Sequence, residues 1–357
     1  MSEWRTRAEI KQDVAFFSYT DKEKEIKTTE TYIWDLDKTY LDTKFESVKG
    51  LIRAAMEPGR QKRNIPGTGE LVRSLKDFNK TNNKYNFAFY FITASPPQIE
   101  KKIIEKLNFD DIYPQGIFCK DNMQNLKPKR LWRLTKQVGF KLQSLMQLRK
   151  RLPDDVKQVL WGDDSESDAI IYSLYSDICT QRLQKDEITK ILKSFHVTGK
   201  QVDTILELAL DIPKHDPVEK IYINLEIDTD AEYYIKFGRR ILPTFNSFQT
   251  VLDLYQDGRL YSEHVIGVAR ALMDNYEFTS DELEKSFDDL VRRQVLSEET
   301  VEGILPELQG KNIIHKEYLP SITPKKVLSR VNGKVYELEG HFEPWVPERI
   351  EYLHNYR

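Results

Sequence analysis

Five apolar runs punctuate the first two thirds of the chain: TYIWD (31–35), NFAFYFIT (86–93), QGIFCK (115–120), VKQVLW (156–161) and KIYINLEI (220–227). Between them lie segments with helical signatures. IPGTGELVRSLKDF (65–78) reads as a turn feeding a helix, and PPQIEKKIIEKL (96–107) as a helix with proline near its first turn. FKLQSLMQLRKRL (140–152) reads as an amphipathic helix with Leu142, Leu145, Met146 and Leu148 on its apolar side. Short buried strands alternating with helices leave few solutions. The pattern predicts an α/β fold, a parallel sheet with crossover helices.

The flanking regions differ in texture. Residues 1–26 are polar with a few aromatics (Trp4, Phe16, Phe17) and read as a leader packed on the next domain. That domain is expected to span 27–258, interrupted by a helical insertion at about 177–216. Thr198 with Gln201 resembles a capping box within the insertion. Residues 259–357 read as a C-terminal, mostly helical module, with a second capping box at Thr279 and Glu282 and a short hairpin at Asn332-Gly333. With 357 residues, 39% apolar and 31% charged, the chain can bury a sizeable core. A net charge of -3 gives no global field for nucleic acid. The two cysteines have no metal-ligand spacing, and the six histidines are scattered, so neither is assigned a ligand role. No run is long and apolar enough for a transmembrane segment, and the start lacks a signal-peptide core. The expected location is cytoplasmic.

In an open parallel sheet, ligands bind beyond the carboxyl ends of the strands. Four junctions place polar residues there. The first strand ends in Asp35, Asp37 and Thr39, and the second in Thr93 and Ser95. Lys141 opens the helix that follows the third strand, and the fourth strand runs into Asp163, Asp164 and Asp168. Two carboxylates spaced one apart repel each other, so burying them requires a cation or a proton. A nucleophilic carboxylate, a second carboxylate as acid/base and a divalent cation are the components of aspartyl-phosphate chemistry. Asp35 with Asp163 would hold Mg²⁺, while Thr93 and Lys141 would orient and neutralise a phosphoryl group. Other readings stay open at this point. The acidic cluster could be a solvated helix cap, Thr93 and Ser95 could cap the helix at Pro96, and Lys141 competes with Lys120, Lys127, Lys129 and Lys136.

Taken in chain order, these motifs resemble the haloacid dehalogenase superfamily. More narrowly, NIPGTGELVRSL, ITASPPQ, GDDSESDAIIY and KIYINLEI with FNSFQTVLDLYQDG resemble the catalytic-domain family of the fungal actin-patch phosphatidate phosphatase, a relative of lipin. The likeness covers about residues 31–258 in pieces. It implies a Rossmann-like sheet with flanking helices, Asp35 as nucleophile and Mg²⁺ ligand, and Asp37 as acid/base whose backbone carbonyl also binds the metal. It further implies that Thr93 and Lys141 bind phosphoryl oxygens and that Asp163 completes the metal site, with Asp168 behind it. The sequence departs from the family at Asp164, where a small hydroxyl residue is usual, and in the insertion at 177–216. A pump-like register, with Asp37 as nucleophile, would need Thr at position 41, where Leu41 stands.

The stretches at about 44–64 and 119–140, where superfamily members carry specificity inserts, are short. That favours a bulky or membrane-borne phosphate ester, phosphatidate included. Each stretch carries basic residues, Arg60 to Arg63 and Lys127 to Arg133, that would attract an anionic lipid surface with help from Trp132, or would form solvated basic faces. The expected partner is thus a phosphorylated substrate, with a peripheral membrane position if it is a lipid. The alternatives are a phosphatase acting on a protein, a nucleic-acid end or a soluble metabolite, and an interaction protein built on the same fold. The partner of the C-terminal module is not legible.

Overall fold

In a computed structural model, the described residues are 3–20, 28–42, 63–82, 87–121, 137–164, 167–226, 228–238, 240–322, 327–331, 334–338 and 346–353. They divide into two compact units. One comprises Met1–Ile65, Lys84–Pro243 and Trp345–Arg357; the other comprises Pro66–Asn83 and Thr244–Pro344.

The first unit is built on a sheet of strands β1 (Glu9–Lys11), β2 (Val14–Ser18), β3 (Glu30–Asp35), β4 (Ala88–Thr93), β5 (Gly116–Lys120), β6 (Lys157–Asp163), β7 (Val218–Asn224) and β8 (Ile241–Thr244). Their spatial order is β1-β2-β5-β4-β3-β6-β7-β8, and β5-β4-β3-β6-β7 are mutually parallel. The chain moves outward from β3 through β4 to β5, then returns to β6 on the other side of β3. That reversal is the topological switch point of a Rossmann-like sheet, the place where ligands of such folds bind, beyond the ends of β3 and β6. Side chains alternate across the sheet. Ile33, Ile92, Phe118, Leu160 and Ile221 enter the large apolar core, while Trp34, Phe89, Trp161 and Tyr222 form an aromatic layer on the opposite face. Trp34 and Trp161 stack there at 4.6 Å.

Two expectations need correction. The supposed leader is part of the sheet: β2 pairs antiparallel with β5, and Phe16 stacks on Phe118 at 4.4 Å. Val14 to Phe17 are all buried, so this segment is a core strand and not a covering tail. The helix α3 (Val138–Arg149), expected to be amphipathic, is buried on every side. The cause is the insertion. Its helices α5 (Lys185–Ser194) and α6 (Gly199–Asp211) contribute Ile188, Leu192, Val202, Ile205 and Leu208 to the same core, and α6 packs on α3. Both anticipated capping boxes are present.

The second unit is discontinuous, which shifts the expected boundary at 258. Helix α1 (Thr68–Thr81) packs with α7 (Ser247–Gln256) and α8 (Ser262–Tyr276), so the expected helix of 65–78, from Pro66 on, and the closing helix belong with the C-terminal module. The Ser247 hydroxyl donates to the Pro66 carbonyl at 2.7 Å. Gly67 adopts φ 77°, and a Cβ there would come within 3.0 Å of Ser247 Cβ. Helices α9 (Ser280–Arg292) and α10 (Glu298–Gly310) and a hairpin of Val327–Val331 with Lys334–Leu338 complete the unit. The turn Asn332-Gly333 itself lies outside the described residues. No helix among the described residues is long and apolar enough to cross a membrane.

Candidate active site

The end of β3 delivers Asp35 to the switch point, buried. The chain then turns sharply. The amides of Tyr40 and Leu41 donate to the Leu36 carbonyl, and the Lys38 amide donates to the Leu41 carbonyl at 2.9 Å. Lys38 sits at φ 60°, a left-handed position that disfavours side chains and persists only when the surroundings fix it. The turn gives the two aspartates different partners. Asp37 accepts a 2.7 Å hydrogen bond from the Thr93 hydroxyl, which in turn accepts the Ser95 amide at 3.0 Å. Tyr40 anchors the exit of the turn, its phenol donating to Asp110 at 2.6 Å.

Asp35 faces a different partner. Lys141, in the first turn of α3, has its Nζ 3.4 Å from Asp35 Oδ1 and 2.5 Å from Asp168 Oδ1. All three side chains are buried. Asp168 opens helix α4 (Asp168–Cys179), and its other oxygen accepts the Asp163 amide at 3.2 Å. Oxygen atoms of Asp35, Asp163 and Asp168 all lie within 4.8 Å of one another. Three carboxylates this close repel strongly in a buried setting, and Lys141 brings one positive charge to them. The donor set is entirely oxygen. It suits a hard divalent cation such as Mg²⁺ better than a soft metal.

The approach of Asp168 depends on Gly162. A Cβ at that position would lie 2.5 Å from Asp168 Cβ, closer than any real contact. Gly162→Ala is therefore expected to push α4 off the sheet, lowering the melting temperature and dispersing the acidic cluster. Thermal melting checks this; an alanine variant with an unchanged melting temperature would mean the helix start is free to shift.

Of the residues expected from sequence, Asp35, Lys141, Asp163 and Asp168 come together, and Asp37 with Thr93 forms an adjoining pair. Two of the open alternatives are resolved against. Thr93 and Ser95 do not cap the helical segment beyond Pro96, which leads into α2 (Glu100–Phe109) and whose start has no side-chain cap. Asp163 and Asp168 are not solvated caps either, since both are buried. Among the competing lysines, Lys120 is buried near the Phe140 ring, while Lys127, Lys129 and Lys136 lie outside the described residues. So do both basic stretches and Trp132, except Arg63, which is exposed.

Sequence reasoning missed several supports. The Tyr172 phenol donates to the Trp161 carbonyl at 2.9 Å; burial, reinforced by the charge of Asp168, pushes its pKa well above the ordinary value. It thus stays protonated beneath the acidic cluster. Burial also pushes the Cys119 thiol well up and the Cys179 thiol up to about 12, so neither offers a thiolate nucleophile. A further grouping of Asp281, Glu284 and His315 lies in the other unit, at the surface.

Residues 31–196 match the family model described as phosphatidate phosphatase APP1, catalytic domain. The matched stretch runs from β3 through every residue of the acidic cluster, and the chain resembles that phosphatase family there. It ends before β7, so KIYINLEI and the closing helix lie beyond it. Helix α5, expected to be foreign to the family pattern, lies within it. No curated protein and no solved structure matched the chain.

Proposed function

We propose that this chain is a Mg²⁺-dependent phosphomonoester hydrolase that works through an aspartyl-phosphate on Asp35. The carrying observation is the division of labour between two neighbouring aspartates: Asp35 lies against an ammonium, and Asp37 against a hydroxyl. The Asp35 carboxylate attacks phosphorus while the bond to the leaving alkoxide breaks, and Asp37 gives that oxygen a proton. Asp37 then takes a proton from water, which attacks the phosphoryl-aspartate and releases inorganic phosphate. Thr93 orients Asp37 by donating its single hydroxyl proton to that carboxylate. Lys141 offsets charge on Asp35 and the phosphoryl group. Asp35 and Asp163, with the backbone carbonyl of Asp37, would hold Mg²⁺, and Asp168 would fix both Lys141 and Asp163. The metal supplies further neutralisation of the phosphoryl oxygens.

The family description supports phosphatidate as substrate, and with it a peripheral position at a membrane. The intact pair Asp35 and Asp37 argues against a relic fold kept only for binding. The test is hydrolysis of phosphatidate in mixed micelles against soluble phosphomonoesters, each with Mg²⁺ and with EDTA. Chelator should abolish turnover and Mg²⁺ restore it, with the lipid preferred. Full activity in EDTA would overturn the metal assignment, and preference for a soluble ester would overturn the lipid substrate.

A further inference from the structure

Asp164 follows a buried acidic residue yet stays outside the cluster of Asp35, Asp163 and Asp168. Its Oδ2 accepts the Glu226 amide at 3.0 Å and the Thr229 hydroxyl. Its own amide donates to the Asn224 carbonyl at 3.1 Å. The loop beyond β7 is thus tied to the loop that carries Asp163. It is also tied to the turn that carries Asp37: Asn224 Nδ2 donates to the Lys38 carbonyl at 3.4 Å, and Lys38 Nζ lies 3.6 Å from Glu226 Oε1. Asn224, Glu226 and Thr229 therefore touch both catalytic loops, which come from strands on either side of the switch point.

We propose that Asn224, Glu226 and Thr229 form a bracket that sets the spacing of the two metal-binding loops, with Asp164 and Asn224 as positioning residues for the cation site. The proposal rests on the Mg²⁺ reading above. The physical reason lies in the turn. Lys38 occupies a left-handed conformation that costs energy and must be held from outside. The Asn224 amide holds it by the carbonyl of Lys38 itself, one residue beyond Asp37. The Asp164 carboxylate, in turn, holds Glu226 and Thr229, and so the backbone that leads back to Asn224. Groups that orient metal ligands at one remove commonly control affinity by about 10- to 100-fold. A small hydroxyl residue at 164 has a shorter reach and could not accept both donors with a carboxylate's strength.

The experiment uses the full chain with three variants, Asp164→Ala, Asp164→Asn and Asn224→Asp. Mg²⁺ binding is followed by calorimetry and by the Mg²⁺ dependence of turnover on a chromogenic phosphate ester. Amide hydrogen exchange is followed without metal. Asp164→Ala should raise the half-saturating Mg²⁺ concentration by about 10-fold or more, with turnover recovered at high Mg²⁺. Asn224→Asp keeps the size but loses the donor, so it should behave alike. Asp164→Asn keeps an acceptor oxygen and should stay close to the unaltered protein. Exchange across 36–41, whose amides close the turn, should accelerate in Asp164→Ala and Asn224→Asp only. Unchanged exchange at 36–41 in folded Asp164→Ala would overturn the bracket, whatever the metal does. Turnover lost at every Mg²⁺ concentration would overturn it too, by making Asp164 part of the reaction. Failure of the phosphatase reading looks different: the unaltered protein would then bind no Mg²⁺ and cleave no ester, while the exchange measurement still decides the bracket.

Discussion

Asp35→Asn is expected to abolish turnover and covalent labelling together, whereas Asp37→Asn should stop the reaction half-way. Loss of a covalent nucleophile costs on the order of 10⁵ to 10⁶ in turnover, and an amide cannot attack phosphorus in its place. No phosphoryl-enzyme should form with any ester. Loss of an acid/base group costs about 10² to 10⁴, and here the cost is split unevenly between the two steps. A p-nitrophenolate leaving group needs little protonation, so the first step should survive in Asp37→Asn. Water still needs a base, so the second step should not. The expected result is a burst of nitrophenol and a phosphoryl group trapped on Asp35, read by intact mass after acid quench. The amide introduced by Asp37→Asn would still offer a side-chain oxygen to the Thr93 hydroxyl, so the turn should keep its shape. A burst from Asp35→Asn with none from Asp37→Asn would exchange the two roles.

The positions of the candidate site residues are legible in the sequence because a parallel sheet gathers polar groups at predictable ends. Asp35, Thr93 and Asp163 are the last residues of β3, β4 and β6. Long apolar runs made those strands evident, and their polar terminal residues stood out. Helix α3 was legible as a helix but not as a buried one. Gln143, Ser144, Gln147 and Arg149 look like a solvent face, yet all are buried. Gln143 reaches Asp13 and the Gly139 carbonyl, Ser144 the Phe140 carbonyl, and Arg149 the carbonyls of Pro153 and Asp154. Polar side chains satisfied by backbone can sit in a core, and periodicity reads them as surface. Strand β2 escaped for another reason. Its partner β5 lies far along the chain, and five residues of local pattern cannot announce a distant pairing. The same holds for α1, whose packing partners α7 and α8 follow the whole sheet. Asp164 read as a member of the acidic run, and only the loop beyond β7 shows that it faces elsewhere.

Lys141→Met is expected to cost both activity and stability, and the two losses can be separated. The ammonium is buried between Asp35 and Asp168, with side chains at 1% exposure or less. Removing one partner of a buried ion pair leaves uncompensated charge and typically destabilises by about 3 to 5 kcal/mol. Turnover should fall by about 10² to 10³, the cost of losing one preorganised charge near the transferring group. Lys141→Arg should not rescue it, because the planar fork needs more room than a fully buried site allows. The second variant is Lys141→Met combined with Asp168→Asn. Removing the facing carboxylate relieves the stranded charge, so the double variant should be more stable than Lys141→Met alone in metal-free buffer. It should remain as inactive, because neither change restores a cation beside Asp35. Urea unfolding in EDTA gives the stability order, and turnover on a soluble ester with Mg²⁺ gives the activities. If the double variant unfolds no later than Lys141→Met, the ammonium is not what compensates Asp168. If Lys141→Met retains turnover, the phosphoryl group is neutralised by a different cation and Lys141 serves the fold alone.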